Sequence, residues 1–152
     1  MKKLFLIPIL GIIFSSCTNS ESTSDPVADL STKTNMVAQS DWQVTQYTDS
    51  GKDETSDFAG YRFNFTTDGN FIASSSGQTY TGTWVLSSGS SSPDDSGNNS
   101  SDDNLNKLTI TISGNKLMEK LNHKWLAEKI TATEIWLRDD NPASNEIIRF
   151  GK

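Results

Sequence analysis

The chain has one cysteine, one histidine and four prolines in 152 residues. A single cysteine excludes an internal disulfide framework and any multi-cysteine metal cluster. A single histidine leaves no second imidazole for a relay, and a zinc site built from several His or Cys ligands is excluded with it. Positive charge is also scarce, with 13 Lys and Arg against 19 Asp and Glu. Nucleic-acid binding needs clustered basic residues, and no such cluster is present. The longest apolar run, residues 4–14, is interrupted only by Pro8 and Gly11. A bilayer-spanning helix needs roughly 18 or more apolar residues, so this run is too short to cross.

What is there begins at Cys17. Lys2 and Lys3 precede the apolar run, and Ser15 and Ser16 separate it from the cysteine. A cationic start, a short apolar stretch and small residues before a cut are the parts of a secretory signal. Phe14-Ser15-Ser16-Cys17 resembles the lipobox of bacterial lipoproteins, with Phe14 where Leu is usual. The resemblance implies removal of residues 1–16 and acylation of Cys17, with several acyl chains giving stable attachment. Thr18 follows the cysteine, so the acidic inner-membrane retention signal known from some bacteria is missing, and an outer-membrane address is expected. Losing Lys2 and Lys3 takes 13 basic residues to 11 against 19 acidic ones, a balance of about −8. That charge serves solubility.

Residues 17–35 are rich in Ser, Thr, Asn and Asp, the composition of a flexible tether, and Val27, Leu30, Met36 and Val37 are spaced for a short helical turn near its end. The folded domain is expected over 36–152, a size that suits one core. Its strongest pattern is period-two alternation broken by turn residues. Trp42 and Val44 alternate with Gln43 and Thr45, and Tyr61, Phe63 and Phe65 with Arg62 and Asn64. Asp68-Gly69-Asn70 and Ser76-Gly77-Gln78 mark turns. Phe71, Trp84, Leu108, Ile110, Ile112, Trp125, Ile135, Leu137 and Phe150 carry further strands. Leu117, Met118 and Leu121 sit at helical spacing and predict one short helix over 116–122. Eight short strands joined in sequence predict an all-β, antiparallel up-and-down barrel, with the helix before the sixth strand. A two-sheet sandwich is the competing architecture.

The order of these elements, from about Val37 to Phe150, resembles the lipocalin-like domains of lipoproteins from Bacteroidetes-type bacteria. The features that carry it are Ser40-Asp41-Trp42, Tyr61-Arg62-Phe63-Asn64-Phe65 with its Asp68-Gly69 turn, Gly82-Thr83-Trp84, and Glu134-Ile135-Trp136-Leu137. True lipocalins place Gly-x-Trp on the first strand, whereas here it falls on the fourth. The resemblance therefore implies the barrel and a loose kinship, not the ligand habits of that family.

The candidate sites are few. An eight-stranded barrel holds either packed side chains or one small ligand. Trp42, Phe63, Phe65 and Trp84 are the interior residues that would line a calyx, or else fill the core. Arg62 and Arg138 would hold an anionic head group if they faced inward, and are solvated if they face out. Trp125 and Trp136, opposite the Leu126/Ile130 and Ile135/Leu137 sets, form a candidate exposed pair for a sugar or a partner, or a cap on the barrel. His123 reads as a surface or helix-end residue. The loop 87–106 is Ser-rich and acidic. Its oxygen donors suit Ca²⁺, but their spacing does not match an EF-hand loop, and a mobile loop is expected. Asn98 and Asn99 fit glycosylation sequons, to which a bacterial lipoprotein gives little weight. No constellation supports independent catalysis, and no cofactor or metal is implied. The expected function is a monomeric, lipid-anchored envelope module that takes up a small apolar or amphipathic molecule. The alternative is an interaction lipoprotein with a solid core that contacts another envelope protein.

Overall fold

The structure is a computed structural model and describes residues 26–39, 41–89, 105–141 and 143–152. Cys17, Asn98, Asn99 and most of the acidic loop lie outside them. The chain forms α1 (Pro26–Val37), β1 (Asp41–Asp49), β2 (Lys52–Asp53), a 3-10 turn (Thr55–Phe58), β3 (Arg62–Phe65), β4 (Asn70–Ser75) and β5 (Gln78–Ser87). It continues with β6 (Asn106–Ile112), α2 (Lys116–Glu119), β7 (Lys124–Ile130), β8 (Glu134–Asp139) and β9 (Ile147–Gly151). Each strand from β3 onward pairs antiparallel with the next, β1 pairs β3, and β9 returns to β1. That last ladder, from Gln43↔Gly151 to Thr48↔Ile147, closes the sheet. The result is an eight-stranded antiparallel barrel, with β2 as a two-residue appendage. Closure removes the exposed edges that a sandwich would keep.

Local chemistry explains the connections. Ser50 and Gly51 both have positive φ, as do Ser76 and Gly77. Two consecutive positive-φ residues make the type I′ turn that matches strand twist. Asn115 caps α2 by accepting a hydrogen bond from the Met118 amide at 2.9 Å. Trp42, Phe63, Phe65, Phe71, Leu108, Ile110, Trp125, Ile135, Leu137, Ile148 and Phe150 point inward and are buried.

Strict alternation fails at two places. The register shifts between Val44 and Gln46 in β1, and between Ala127 and Lys129 in β7. Each bulge inserts one residue and so exchanges the inward parity. Trp42 and Tyr47 are thus both interior although one is even and the other odd. Trp125 and Ala127 join Ile130 on the core side for the same reason. The expectation that Trp125 faces away from Ile130 is corrected accordingly.

The tether expected over 17–35 gives way to helix at Pro26. Half of the α1 positions are polar, but Leu30 and Val37, with Ala38 just beyond the helix, pack on the core. Lys33 Nζ donates to Asn106 Oδ1 at 2.9 Å, and the Trp42 indole donates to the Val37 carbonyl. The helix covers the barrel end where β1 starts. At the other end Phe58 of the 3-10 turn and Met118 with Leu121 beside α2 are buried. No described helix is long and apolar enough to cross a membrane.

Candidate functional site

Of the interior residues expected to line a calyx, Phe65 touches Trp84, and Phe63 and Phe65 both pack on Phe71 and Phe150. Phe63 contacts Phe58, Tyr61, Phe71 and Phe150 at centroid distances of 5.5 to 6.2 Å. Phe65 contacts Phe71, Trp84 and Phe150 at 4.8 to 5.7 Å. These separations belong to packed aromatic pairs and leave no room for a ligand between the rings. Trp84 lines a 290 Å³ depression shared with Thr34, Thr67, Asp68, Gly69, Val85 and Leu86. Its indole donates to the Thr66 carbonyl at 2.9 Å, so its polar edge is already engaged.

The other sequence candidates separate. Arg62 is exposed and borders a shallow cleft with Gly60 and residues 74–79. Arg138 faces out and pairs with Glu128 at 3.2 Å. Neither lies in the core. Trp136 is on the outer face, with the Lys129 ammonium 4.4 Å and the Arg149 guanidinium 4.2 Å from its ring. Trp125 is fully buried and donates to the Leu121 carbonyl at 3.2 Å. The exposed Trp pair therefore does not form. Trp125 closes the barrel from inside while Trp136 is covered by cations.

His123 is the surprise. It is not an isolated surface residue but the centre of a polar cluster at the barrel end opposite α1. Its Nδ1 lies 3.4 Å from Asp139 Oδ1 and its Nε2 lies 3.0 Å from Glu146 Oε2. Its ring stands edge-on to Trp125 at 5.0 Å. Three elements build the arrangement. The turn after α2 delivers His123, the inward end of β8 delivers Asp139, and the residue before β9 delivers Glu146. Asp139 is the only buried charged residue among the described residues. Ser144 Oγ donates to its Oδ2, and the Glu146 carbonyl receives the Asp139 amide at 3.0 Å.

Tyr47 lies near the end of β1 and pairs with Ile148 of β9. Its side chain is fully buried, and its hydroxyl has no hydrogen-bond partner. Burial first, then the charges of Glu146, Asp49, Glu54 and Asp139, hold the phenol firmly protonated. Burial also raises the Glu146 carboxyl above its ordinary range. His123 opposes that rise, Asp49 and Asp139 add to it, and Lys120 opposes it in turn. Lys120 bridges the rim by pairing with Glu54 and standing 3.9 Å from Asp49. One lysine thus borders several carboxylates.

No protein-family model matches this chain, and no curated protein matches it significantly. Among solved structures it is similar to a DUF4847 family protein from Bacteroides vulgatus. The two share 13% identity and a TM-score of 0.47 over 77% of this chain and 94% of that one. The class of protein is therefore set by the strand topology itself, a closed antiparallel β-barrel.

Proposed function

We propose that this chain is a lipid-anchored envelope protein that works as a solid recognition module, contacting another envelope protein through its surface. The observation that carries this reading is the filled interior. Phe63, Phe65, Phe71, Trp84 and Phe150 form a continuous ring cluster, with α1 over one end and the 3-10 turn with α2 over the other. A barrel closed in this way offers its outside and its rims, not a calyx. The motif around Cys17 supplies the anchor, and the absence of an acidic residue at Thr18 favours the outer membrane. Cys17 stands nine residues before Pro26, a reach of at most about 30 Å. Such an anchor keeps the α1 end near the bilayer. The His123 end is then the one presented outward.

The test is mass spectrometry of the natively purified protein, run intact and under non-denaturing conditions. The expected result is a chain beginning at acylated Cys17 with no small molecule held in stoichiometric amount. A mature chain without lipid overturns the anchor. A co-purifying apolar ligand at one per chain overturns the solid-core reading.

A further inference from the structure

We propose that the side-chain cluster at the His123 end binds one divalent first-row transition-metal ion such as Zn²⁺. His123 Nε2 and Glu146 Oε2 are its protein ligands, and Asp139 holds the imidazole through Nδ1. The inference stands with or without an anchor at Cys17.

Four observations converge on it. First, one donor atom each from His123, Asp139 and Glu146 can be chosen so that all lie within 4.8 Å of one another. Second, Nε2 and Oε2 stand 3.0 Å apart, yet Oε2 is sealed from solvent and accepts no hydrogen bond of acceptable geometry. Ligands about 2.0–2.2 Å from one ion lie about 3.0–3.5 Å from each other, so this separation suits two donors on one metal. Third, the Tyr47 hydroxyl is a second buried oxygen without a partner, on a residue whose backbone pairs with Ile148, two residues from Glu146. A buried carboxylate left unpaired costs free energy that a bound ion would offset. Fourth, Asp139 and Ser144 form the supporting layer that metal-bound histidines commonly have, a carboxylate on the other ring nitrogen that is itself held by a hydroxyl.

The donor types choose among ions. Imidazole favours zinc, iron, nickel and copper, whereas Ca²⁺ and Mg²⁺ take all-oxygen shells. Two protein ligands leave coordination positions open for water or for a donor from a docking partner. Such a site is closer in its openness to catalytic than to structural zinc centres.

One histidine per chain makes the test direct. The mature chain, without an affinity tag and stripped with chelator, is labelled with ¹⁵N, and its imidazole nitrogens are followed by NMR as Zn²⁺ is added. The expected result is a shift of Nε2 that saturates at one ion per chain, with no change when Ca²⁺ or Mg²⁺ replaces Zn²⁺. Calorimetry on the same samples is expected to show His123→Ala without this site and Glu146→Gln at least tenfold weaker. Asp139→Asn is expected to be about 10–100-fold weaker. If His123→Ala fails to fold, the near-isosteric Glu146→Gln and the wild-type spectra carry the test. Imidazole signals indifferent to excess Zn²⁺ overturn the proposal, as does wild-type affinity in Glu146→Gln. A doubly protonated ring that Zn²⁺ cannot displace would show a proton-held ion pair in its place.

Discussion

The indole nitrogen of Trp42 donates a 2.8 Å hydrogen bond to the carbonyl oxygen of Val37. This one contact ties the first core residue of the barrel to the end of α1. Both partners are fully buried, so the bond cannot be replaced by water without rearrangement. It makes α1 part of the folded unit rather than a leader to it.

Trp42→Phe keeps a ring in place but leaves the Val37 carbonyl without its donor. Leaving a buried acceptor unpaired costs about 1–3 kcal/mol. Urea denaturation is expected to show a loss of that size. Removing residues 17–35 takes away Leu30 and most of the helix, and is expected to destabilise the domain as well. A truncated domain as stable as the whole mature chain would contradict the role given to α1.

A solid core makes a different demand on Phe63. Its ring touches four other rings, and alanine would leave a cavity among them. Phe→Ala in a packed core costs about 3–5 kcal/mol. The denaturation midpoint of Phe63→Ala is expected to fall accordingly. In an open calyx the same change would remove few contacts. A midpoint close to wild type would therefore argue against a filled barrel.

Where the sequence was readable, one local rule sufficed. The eight barrel strands follow from alternation between turn residues, as with Phe63 and Phe65 before Asp68-Gly69. α2 follows from the helical spacing of Leu117, Met118 and Leu121. The bulges in β1 and β7 carry no glycine or proline signal, and they alone decide that Tyr47 and Trp125 face inward. α1 showed in the sequence only as a short turn, because what stabilises its full length is the barrel end beneath Leu30 and Val37. The Ser50-Gly51 pair was a usable turn signal for β2. His123, Asp139 and Glu146 come from separate segments joined only by sheet pairing. No motif spacing links them, and the cluster appears only once β7, β8 and β9 lie side by side.

Gly82 marks a close approach between β5 and β6. It pairs with Ile112, and a Cβ built there would run into the Thr111 carbonyl oxygen and come within 2.8 Å of the Ile112 Cα. These are backbone atoms that cannot swing away. Gly82→Ala is expected to cost about 1–3 kcal/mol by overpacking. Gly51→Ala is the instructive contrast. Nothing lies within 4 Å of its added Cβ, but its φ of +81° is left-handed. Its cost of about 1–2 kcal/mol is local to the turn. Hydrogen exchange separates the two, with β5 and β6 amides loosened only by Gly82→Ala. Equal loosening in both variants would remove the distinction.

The β3–β4 turn carries a pH dependence of definite sign. The Thr66 hydroxyl donates to Asp68, and Asn70 Nδ2 donates to its other oxygen at 2.7 Å. The Thr66 hydroxyl is the main cause holding the Asp68 carboxyl below its ordinary value of 3.8, with backbone amides and Asn70 adding to it. A carboxyl with a lower pKa when folded stabilises the fold fully above its unfolded value. That stabilisation disappears as pH falls through the folded value. Asp68 is exposed, so the effect is small and screened by salt. Asp68→Asn removes the charge and with it the dependence. The gap in urea midpoint between wild type and Asp68→Asn, measured at low ionic strength, is expected to be widest near pH 6 and to close towards pH 2. Other carboxylates titrate in both proteins and drop out of the difference. A gap of constant width across that range would show that the turn is held by Asp68's shape rather than its charge.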